Sequence, residues 1–266
     1  MQNILHLDPL DFPNAVEAVV AGRPLVHCMT NDVVQEITAD VLLAAGASPA
    51  MVITREESAD FCRLADALLI NVGTLTPERF QAMVLAVQTA GQCNKPWVLD
   101  PVAAGPLPWR NARIEEFLTF RPSVIRANAS EILALAGLSK GGHGVDSLDD
   151  SADAIEAACA LAQQFECTVA VTGPTDFVTD GKRLYAIEGG HKMATLVVGT
   201  GCSLSALVAA FCAVLSDRTL ATAAALQLAK KAQERARAAS RGPGSFHPAY
   251  LDALYELSIA EHRHDR

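Results

Sequence analysis

The sequence predicts an α/β fold in which a mostly parallel sheet lies between two layers of helices. Short apolar segments alternate with longer segments whose apolar residues recur at helical spacing. The short segments are apolar throughout rather than at every second residue, which is typical of strands buried on both faces. Half of the 266 residues are hydrophobic and only 5% are aromatic. Because no internal repeat or linker interrupts this pattern, we expect one domain over residues 1–266.

Each predicted element follows from a local pattern. Gly46 ends the helix after the first strand, because glycine tolerates the left-handed conformation found there. Pro77 suits the first position of a helix, and Asp180-Gly181 suits the turn of a hairpin within residues 176–190. The predicted strands are 24–30, 49–54, 67–74, 96–102, 122–128 and 168–173; the predicted helices are 11–22, 33–47, 56–66, 76–90, 112–119, 130–136, 151–166, one opening at 199–202, and 221–240. Residues 103–111, 137–151 and 242–250 are predicted loops, with a last helix behind them.

Charge and cysteine usage restrict the classes of partner and compartment. A formal net charge of −9 at pH 7 argues against nucleic acid or an anionic membrane as the main partner. The apolar runs are interrupted too often for a membrane span, and the amino-terminal segment lacks the features of a signal peptide. Seven cysteines without a CxxC pair indicate reduced thiols. We therefore expect a cytoplasmic protein.

The segment 197–210, VVGTGCSLSALVAA, has the pattern of a glycine turn that opens a buried helix. The first N–H groups of a helix lack internal partners, and the helix dipole adds partial positive charge at that end. Gly199, Thr200, Gly201 and Cys202 could therefore surround an anion, most often phosphate. The alternative is a helix that packs tightly on its neighbour through these glycines, and a single GxG does not decide between the two.

Polar side chains follow most of the predicted strands, where ligands bind in parallel sheets. Asp100 could hold Mg²⁺ or could cap the next turn. Glu131 suits the first turn of a helix, yet it would lie at the same edge as Asp100 and could share a magnesium ion through water. Arg126 in an apolar strand requires an anionic partner, either a carboxylate or a nucleotide phosphate. The strand-end candidates are Asn31, Asn71, Asp100, Arg126, Asn128, Glu131, Thr172 and Thr200.

Cys202 lies at the amino end of the predicted glycine helix, a position that lowers the pKa of a thiol and favours a nucleophile. A polyphosphate beside it would raise that pKa instead, and many such cysteines are small buried residues. His27 is interpreted as a structural histidine. His143 and His191 lie in glycine-rich loops and could line a site, but nothing in the sequence distinguishes them.

Taken together, the motifs identify a family. They cover nearly the whole chain in one order: PLVHCMTNDVVQ, LLAAGASPAMV, LLINVGTLT, WVLDPVAAG, IRANASEI, GGHGVD, VTGPTDFVTDG, VVGTGCSLSA and GPGSF. The chain thereby resembles hydroxyethylthiazole kinases of the ribokinase-like superfamily, which have a three-layer αβα fold. Ala127 stands where this family more often has glycine, and the tail after Ser258 has no pattern to match. Neither departure changes the expected function.

The resemblance implies transfer of the γ-phosphoryl of ATP to the primary alcohol of 4-methyl-5-(2-hydroxyethyl)thiazole, with Mg²⁺, in thiamine biosynthesis or salvage. It also implies a homotrimer with active sites between subunits. By matching positions, the thiazole-binding residues are Met51 and Gly199, with Asn31 in the TND motif; the ATP-binding residues are Arg126 and Thr172; and the acidic pair near magnesium is Asp100 and Glu131. Residues 46–50 would add an apolar pocket wall.

The proposed catalytic group is the turn itself. We expect the amides of Thr200, Gly201 and Cys202 to hold the transferred phosphoryl group, because its charge must be stabilised. Cys202 stands where most ribokinase-like enzymes carry an aspartate base. Alternatives are a kinase for hydroxymethylpyrimidine, a cysteine-dependent acyl transferase or hydrolase, for which no partner histidine is evident, and a non-catalytic binding protein.

Overall fold

The computed structural model describes residues 4–137 and 149–260 of the chain. Its strands are β1 (Ile4–Leu5), β2 (Leu25–Met29), β3 (Ser48–Ala50), β4 (Ala67–Asn71), β5 (Trp97–Asp100), β6 (Val124–Asn128), β7 (Thr168–Thr172), β8 (Asp176–Thr179) and β9 (Leu184–Ile187). Its helices are α1 (Asp11–Gly22), α2 (Gln35–Ala44), α3 (Arg55–Leu64), α4 (Pro77–Gln92), α5 (Pro108–Leu118), α6 (Ala129–Leu135), α7 (Asp149–Phe165), α8 (Thr200–Val214), α9 (Arg218–Ala239) and α10 (Pro243–Ala260), with a 3₁₀ helix at Lys192–Leu196.

The strands form one sheet in the order β1-β9-β8-β7-β6-β5-β4-β2-β3. Among the described strands only β8 runs against the others, because it forms a hairpin between β7 and β9. Every other neighbouring pair is parallel. The prediction of a mostly parallel sheet with one hairpin at Asp180-Gly181 is confirmed. The carboxyl ends of β2, β4, β5, β6 and β7 consequently lie at one edge, called here the carboxyl edge.

Two apolar cores cover the two faces of the sheet. The first core contains buried residues of α1, α2, α8, α9 and α10, and the second contains buried residues of α3, α4, α5, α6 and α7. Successive strand residues alternate between them: Val98 of β5 packs in the first core and Leu99 in the second. This arrangement explains why the strands are continuously apolar, and it confirms the three-layer prediction.

The predicted loop at 242–250 is wrong, because helix α10 already begins at Pro243. Proline suits the first turn of a helix, where its missing N–H has no partner to lose. Pro248 lies inside the helix, where its missing N–H removes one helical hydrogen bond. The buried rings of Phe246 and Tyr250, stacked with centroids 6.3 Å apart, offset this loss. Burial of the Phe246 side chain alone is worth about 1.5–3 kcal/mol.

The edge of the sheet differs from the prediction in a smaller way. The strand predicted at 49–54 ends at Ala50, and it pairs only with β2. As the edge strand it tolerates Pro49, which cannot donate to a ladder. Helix α5 also begins at Pro108, within the loop predicted at 103–111. Most of the loop predicted at 137–151, including His143, lies outside the described residues.

Candidate active site

A continuous chain of polar contacts crosses the carboxyl edge of the sheet. It begins behind β2, where Asn31 Nδ2 donates to Asn71 Oδ1 at 3.0 Å. Asn71 Nδ2 donates to Asp100 Oδ2 at 2.7 Å. Arg126 Nη1 lies 3.8 Å from that oxygen, and Arg126 Nη2 donates to Thr172 Oγ1 at 2.6 Å. Side chains from five neighbouring strand ends are therefore joined into one network.

Asp100 is the most buried charged group of this network, with 1% of its side chain exposed. Burial, together with the nearby Glu131 charge, raises its pKa to about 6, although Arg126, Ser205 and Asn71 oppose the shift. Ser205 Oγ of α8 donates to Asp100 Oδ2 at 2.9 Å. Asp100 thus connects the strand ends to the first turns of α8.

Arg126 supplies the positive charge beside Asp100. Its Nε is buried and has no hydrogen-bond partner among the described residues. Because a buried N–H without an acceptor is costly, this donor is suited to a bound anion. Arg126 also borders the glycine turn, since a Cβ on Gly201 would lie 3.5 Å from its Nη2.

Gly199 forms the turn that leads into α8. Its φ of +92° is one that other residues rarely adopt. A Cβ at this position would overlap with Ile37 Cγ2 and would lie 3.2 Å from Val34 Cγ1. The turn therefore packs tightly on its neighbours, as the structural interpretation of the sequence expected. It also opens the helix at the carboxyl edge, where the N–H groups of the first turn are not used within the helix.

A cavity of about 730 Å³ lies in front of this turn. We call it the carboxyl-edge cavity. Its volume is in the range of small-molecule sites. Seven of the sequence-predicted residues line it: Arg126, Asn128, Thr172, Gly199, Thr200, Gly201 and Cys202. The candidates Asn31, Met51, Asn71, Asp100 and Glu131 are not among its lining residues. Asn31 and Asp100 reach it through the polar network, and Met51 packs half-buried against the first core.

Cys202 is positioned between the cavity and the network. Its Sγ lies 3.5 Å from Asn31 Nδ2, which donates to it. Burial raises the pKa of the thiol, and the Asp100 charge raises it further. The thiol is therefore neutral near pH 7, and the activated nucleophile that an acyl transferase requires is not formed. His191 also lines the cavity, but its Nδ1 accepts from the Met193 N–H at 3.1 Å.

Glu131 closes the amino end of α6. Its Oε2 accepts from the Asn128 N–H at 3.0 Å, and Asn128 Oδ1 accepts from the Glu131 N–H at 2.9 Å, so that a capping box is formed. Its Oε1 accepts from the Ala103 N–H at 2.9 Å, which ties the turn after β5 to this cap. Glu131 thus has the structural role that the sequence offered as one alternative.

Asp100 and Glu131 suit magnesium, which needs few protein ligands, better than a metal ion whose ligands are all protein side chains. In residues 4–137 and 149–260, no three His, Cys, Asp or Glu side chains come together as a metal site. Magnesium is usually held by one or two carboxylates together with substrate phosphates and water. The two carboxylates are close enough for Glu131 to influence the pKa of Asp100. They fit a magnesium ion that arrives with a nucleotide.

Two residues of the site were missed at the sequence level. Ser205 lies three residues after Cys202 in α8, so helical spacing could have placed it on the same face. Lys230 of α9 lines the carboxyl-edge cavity and is almost fully buried. No local signal identified it, because the pair Lys230-Lys231 is typical of an exposed helix face.

Comparisons with known proteins agree on the family. A sequence model of the hydroxyethylthiazole kinase family matches residues 16–260. The hydroxyethylthiazole kinase of Klebsiella pneumoniae (strain 342) is 57% identical over 250 residues, which are 94% of this chain and 97% of that protein. The hydroxyethylthiazole kinase structure from Pyrococcus horikoshii OT3 has a TM-score of 0.86 at 40% identity, covering 94% of this chain and 95% of that one.

A more distant structure supports the fold alone. A ribokinase-like superfamily protein from Enterococcus faecalis V583 has a TM-score of 0.68 at 14% identity and covers 97% of each chain. No helix among the described residues is long and apolar enough to cross a membrane. From the family match and from relatives that are similar over almost their full length, we conclude that the chain belongs to the hydroxyethylthiazole kinase family.

Proposed function

We propose that the carboxyl-edge cavity is where this family member transfers the γ-phosphoryl group of ATP to 4-methyl-5-(2-hydroxyethyl)thiazole. The product is 4-methyl-5-(2-phosphooxyethyl)thiazole, an intermediate of thiamine biosynthesis. One observation carries the proposal: the buried Asp100–Arg126 pair and the open end of α8 meet beside one cavity. A positive guanidinium, a helix amino terminus and a carboxylate are the groups that phosphoryl transfer requires.

Phosphate binding is assigned to the glycine turn and Arg126. The amides of Thr200, Gly201 and Cys202 would donate to the transferred phosphoryl group, and the Arg126 guanidinium would neutralise part of its charge. Thr172 positions that guanidinium by accepting from its Nη2. Thr200 contributes only its amide, because its hydroxyl donates to the Ala194 carbonyl at 2.7 Å.

The alcohol is assigned to the side of the turn that faces β2 and β3. Asn31 would contact the substrate near the reacting hydroxyl, with Gly199 and Met51 as apolar walls. Met51 follows β3 directly and packs against the first core. A pocket of this kind suits an uncharged thiazole, for which position and shape matter more than charge.

In the reaction, the alcohol oxygen forms a bond to the γ-phosphorus while the bond to the bridging β–γ oxygen breaks, so that ADP leaves. The alcohol proton goes to water, or to the Cys202 sulfur only in the small fraction of molecules that hold it as the thiolate. A loose transition state needs little assistance from a base, so we assign Cys202 mainly to the phosphoryl-binding turn. Its raised pKa agrees with a thiol that stays protonated before the reaction.

Magnesium is assigned to Asp100 and Glu131, directly or through water. When bound with ATP, the ion would neutralise phosphate charge. Asp100 keeps its carboxylate in place through Asn71 and Ser205. Glu131 is held by two backbone N–H groups, which favours contact through water over direct coordination.

A homotrimer with active sites between subunits is part of the proposal. Val33, Leu196 and Val198 are exposed apolar residues next to site residues, and a neighbouring copy would cover them. The reaction uses ATP, and the described residues form no disulfide, so we also assign the protein to the cytoplasm.

ADP release tests the proposal. Purified protein with Mg²⁺ and ATP is given the hydroxyethylthiazole, hydroxymethylpyrimidine or no alcohol. We expect release with the thiazole alone. Release with the pyrimidine alone would agree with the assigned ATP site but would overturn the assignment of the thiazole as the substrate. Release with neither, from folded protein that binds ATP, would favour a binding protein instead.

A further inference from the structure

Lys230 is a buried cation beside the carboxyl-edge cavity that the proposed reaction does not use. It lies in α9, and only 6% of its side chain is exposed. Its ion-pair partner, Asp176 at the start of β8, is equally buried, with Lys230 Nζ 3.4 Å from Asp176 Oδ1. A buried pair of this kind costs desolvation energy and is a weak source of stability. Its position at the cavity therefore suggests a role in the site.

The Lys230 ammonium joins two separate loops. Its Nζ lies 2.8 Å from the Pro174 carbonyl and 3.3 Å from the Gly173 carbonyl, both in the loop after β7. It also lies 3.2 Å from the Gly189 carbonyl, in the loop after β9. Lysine has three N–H donors and no acceptor, so the carbonyls and Asp176 occupy all of them. Lys230 is thus directed at the protein and not at a phosphate.

The same two loops form part of the cavity wall. Gly173, Pro174, Gly189 and Gly190 all line the cavity. The second loop lies close to α9, because a Cβ on Gly189 would overlap with Glu234 Oε1. Asp176 holds the first loop from its other side by accepting from the Gly173 N–H at 2.8 Å.

Neighbouring side chains of α9 support the second loop. Glu234 Oε1 accepts from the Gly190 N–H at 3.1 Å, and Gln233 Oε1 accepts from the His191 N–H at 3.3 Å. Three of five successive α9 residues therefore contact this one wall. Such a concentration of polar contacts fixes the wall in one conformation.

We propose that Lys230 is a positioning residue that sets the shape of the nucleotide-facing wall and thereby the affinity for ATP. This inference rests on the proposed function, because it takes the carboxyl-edge cavity as the nucleotide site. Lys230 acts through the two loops and does not touch the reacting atoms. Its loss should accordingly weaken nucleotide binding and leave the chemical step largely unchanged.

The test compares Lys230→Met with Lys231→Met. Lys231 is the matched control, because it is an exposed lysine of the same helix whose Nζ lies over the Phe12 ring at 5.1 Å. We expect Lys230→Met to raise the KM for ATP by about tenfold or more, with kcat and the thiazole KM changed by less than about threefold. Lys231→Met should leave all three constants at the wild-type value.

Two results would overturn the proposal. One is an unchanged ATP KM in folded Lys230→Met protein, and the other is a fall in kcat without a change in that KM. If Lys230→Met does not fold, Lys230→Gln keeps an amide donor for the loops and should show a smaller rise in the ATP KM. An unchanged KM in that variant would also contradict the proposal.

Calorimetric titration with Mg-ADP separates this inference from the proposed function. If the wild-type protein releases no ADP with the thiazole, the proposed function fails. Weaker Mg-ADP binding by Lys230→Met than by Lys231→Met would still support the role of Lys230. Equal binding by the two variants would refute it.

Discussion

The two edges of the sheet carry cavities of similar size but of different construction. The carboxyl-edge cavity measures about 730 Å³. A second cavity of about 660 Å³, called here the amino-edge cavity, lies before β6 and β7 and is lined by residues such as Arg121, Glu166 and Lys182. Volume alone does not distinguish them, and both contain arginine.

The difference lies in how the charges are held. In the amino-edge cavity, Arg121 pairs with Glu166 at 3.0 Å, and their side chains are 72% and 73% exposed. At the carboxyl edge, the Arg126 side chain is 11% exposed and pairs with a buried Asp100. Exposed pairs are screened by water and are worth little, whereas buried charges act strongly on a ligand. Strand direction places the amino end of α8 at only one of these edges, and this is why we propose the site at that edge.

The largest expected effect compares one arginine from each cavity. Arg126→Met removes the guanidinium beside the proposed phosphoryl-binding turn, so we expect kcat/KM to fall by about 100–1000-fold. Arg121→Met removes an exposed ion pair and should leave kcat/KM within about twofold of wild type. Steady-state ADP release measures both. Equal losses in the two variants would show that burial does not separate these cavities.

A smaller effect is expected at Cys202. Cys202→Ala should lower kcat by less than about 100-fold, and Cys202→Asp should keep or raise it, because the turn amides remain. The pKa of the thiol is raised, so a rate that needed the thiolate would climb by about tenfold per pH unit through neutral pH. We expect a flat kcat between about pH 7 and 8.5 instead. Complete loss in folded Cys202→Ala would show that the sulfur is an essential base.

At Glu131, the expected change concerns the metal. Glu131→Gln removes one negative charge near Asp100, so more Mg²⁺ should be required for half-maximal activity, by roughly three- to tenfold. Gln can still accept in the α6 capping box, so only the charge at the helix amino end is lost, which should cost about 0.3–1 kcal/mol of stability. Magnesium titration and thermal unfolding separate these effects. A lower melting temperature with an unchanged magnesium titration would show that Glu131 only caps α6 and does not act on magnesium.

The smallest effect belongs to the amino edge and concerns stability. Hydrogen bonding to Arg183 lowers the pKa of Asp217, which is the N-cap of α9. A lowered pKa adds stability that is fully present above the unfolded value of about 3.9 and is lost as the pH falls through the still lower folded value. An asparagine side chain at this position would still cap the helix, so Asp217→Asn should cost about 0.5 kcal/mol at pH 7 and progressively less as the pH falls below about 4. Urea unfolding over this pH range measures this, and a difference that does not shrink as the pH falls would contradict it.

Much of the fold could be predicted because local pattern and tertiary structure agree. The continuously apolar strands are buried on both faces, and the helix starts at Pro77 and Gly199 follow from backbone preferences. Helix α10 could not be predicted in this way. Its glycine and proline residues are typical of a loop, and only contacts of Phe246 and Tyr250 with distant elements make it helical.

The same contrast between local pattern and distant contacts separates the site residues that could be predicted from those that could not. Asn31, Asp100, Arg126 and Thr172 could be identified because each lies at or beside a strand end, and parallel strands bring such ends together. Lys230 could not, because its partners come from loops more than forty residues away in the chain, and helical periodicity alone does not show which lysine is buried.

The burial of helix α8 has a further consequence for how the protein loses activity on heating. Ten consecutive residues, Ser203–Cys212, are buried, so this helix is the centre of the first core and also continues directly from the turn at Gly199. In many enzymes, heat first loosens a surface loop and activity is lost before the fold. Here the turn proposed to bind the phosphoryl group is continuous with a packed core helix. Thermal inactivation should therefore coincide with cooperative unfolding, and mutations that stabilise the core should extend the working temperature by the same amount.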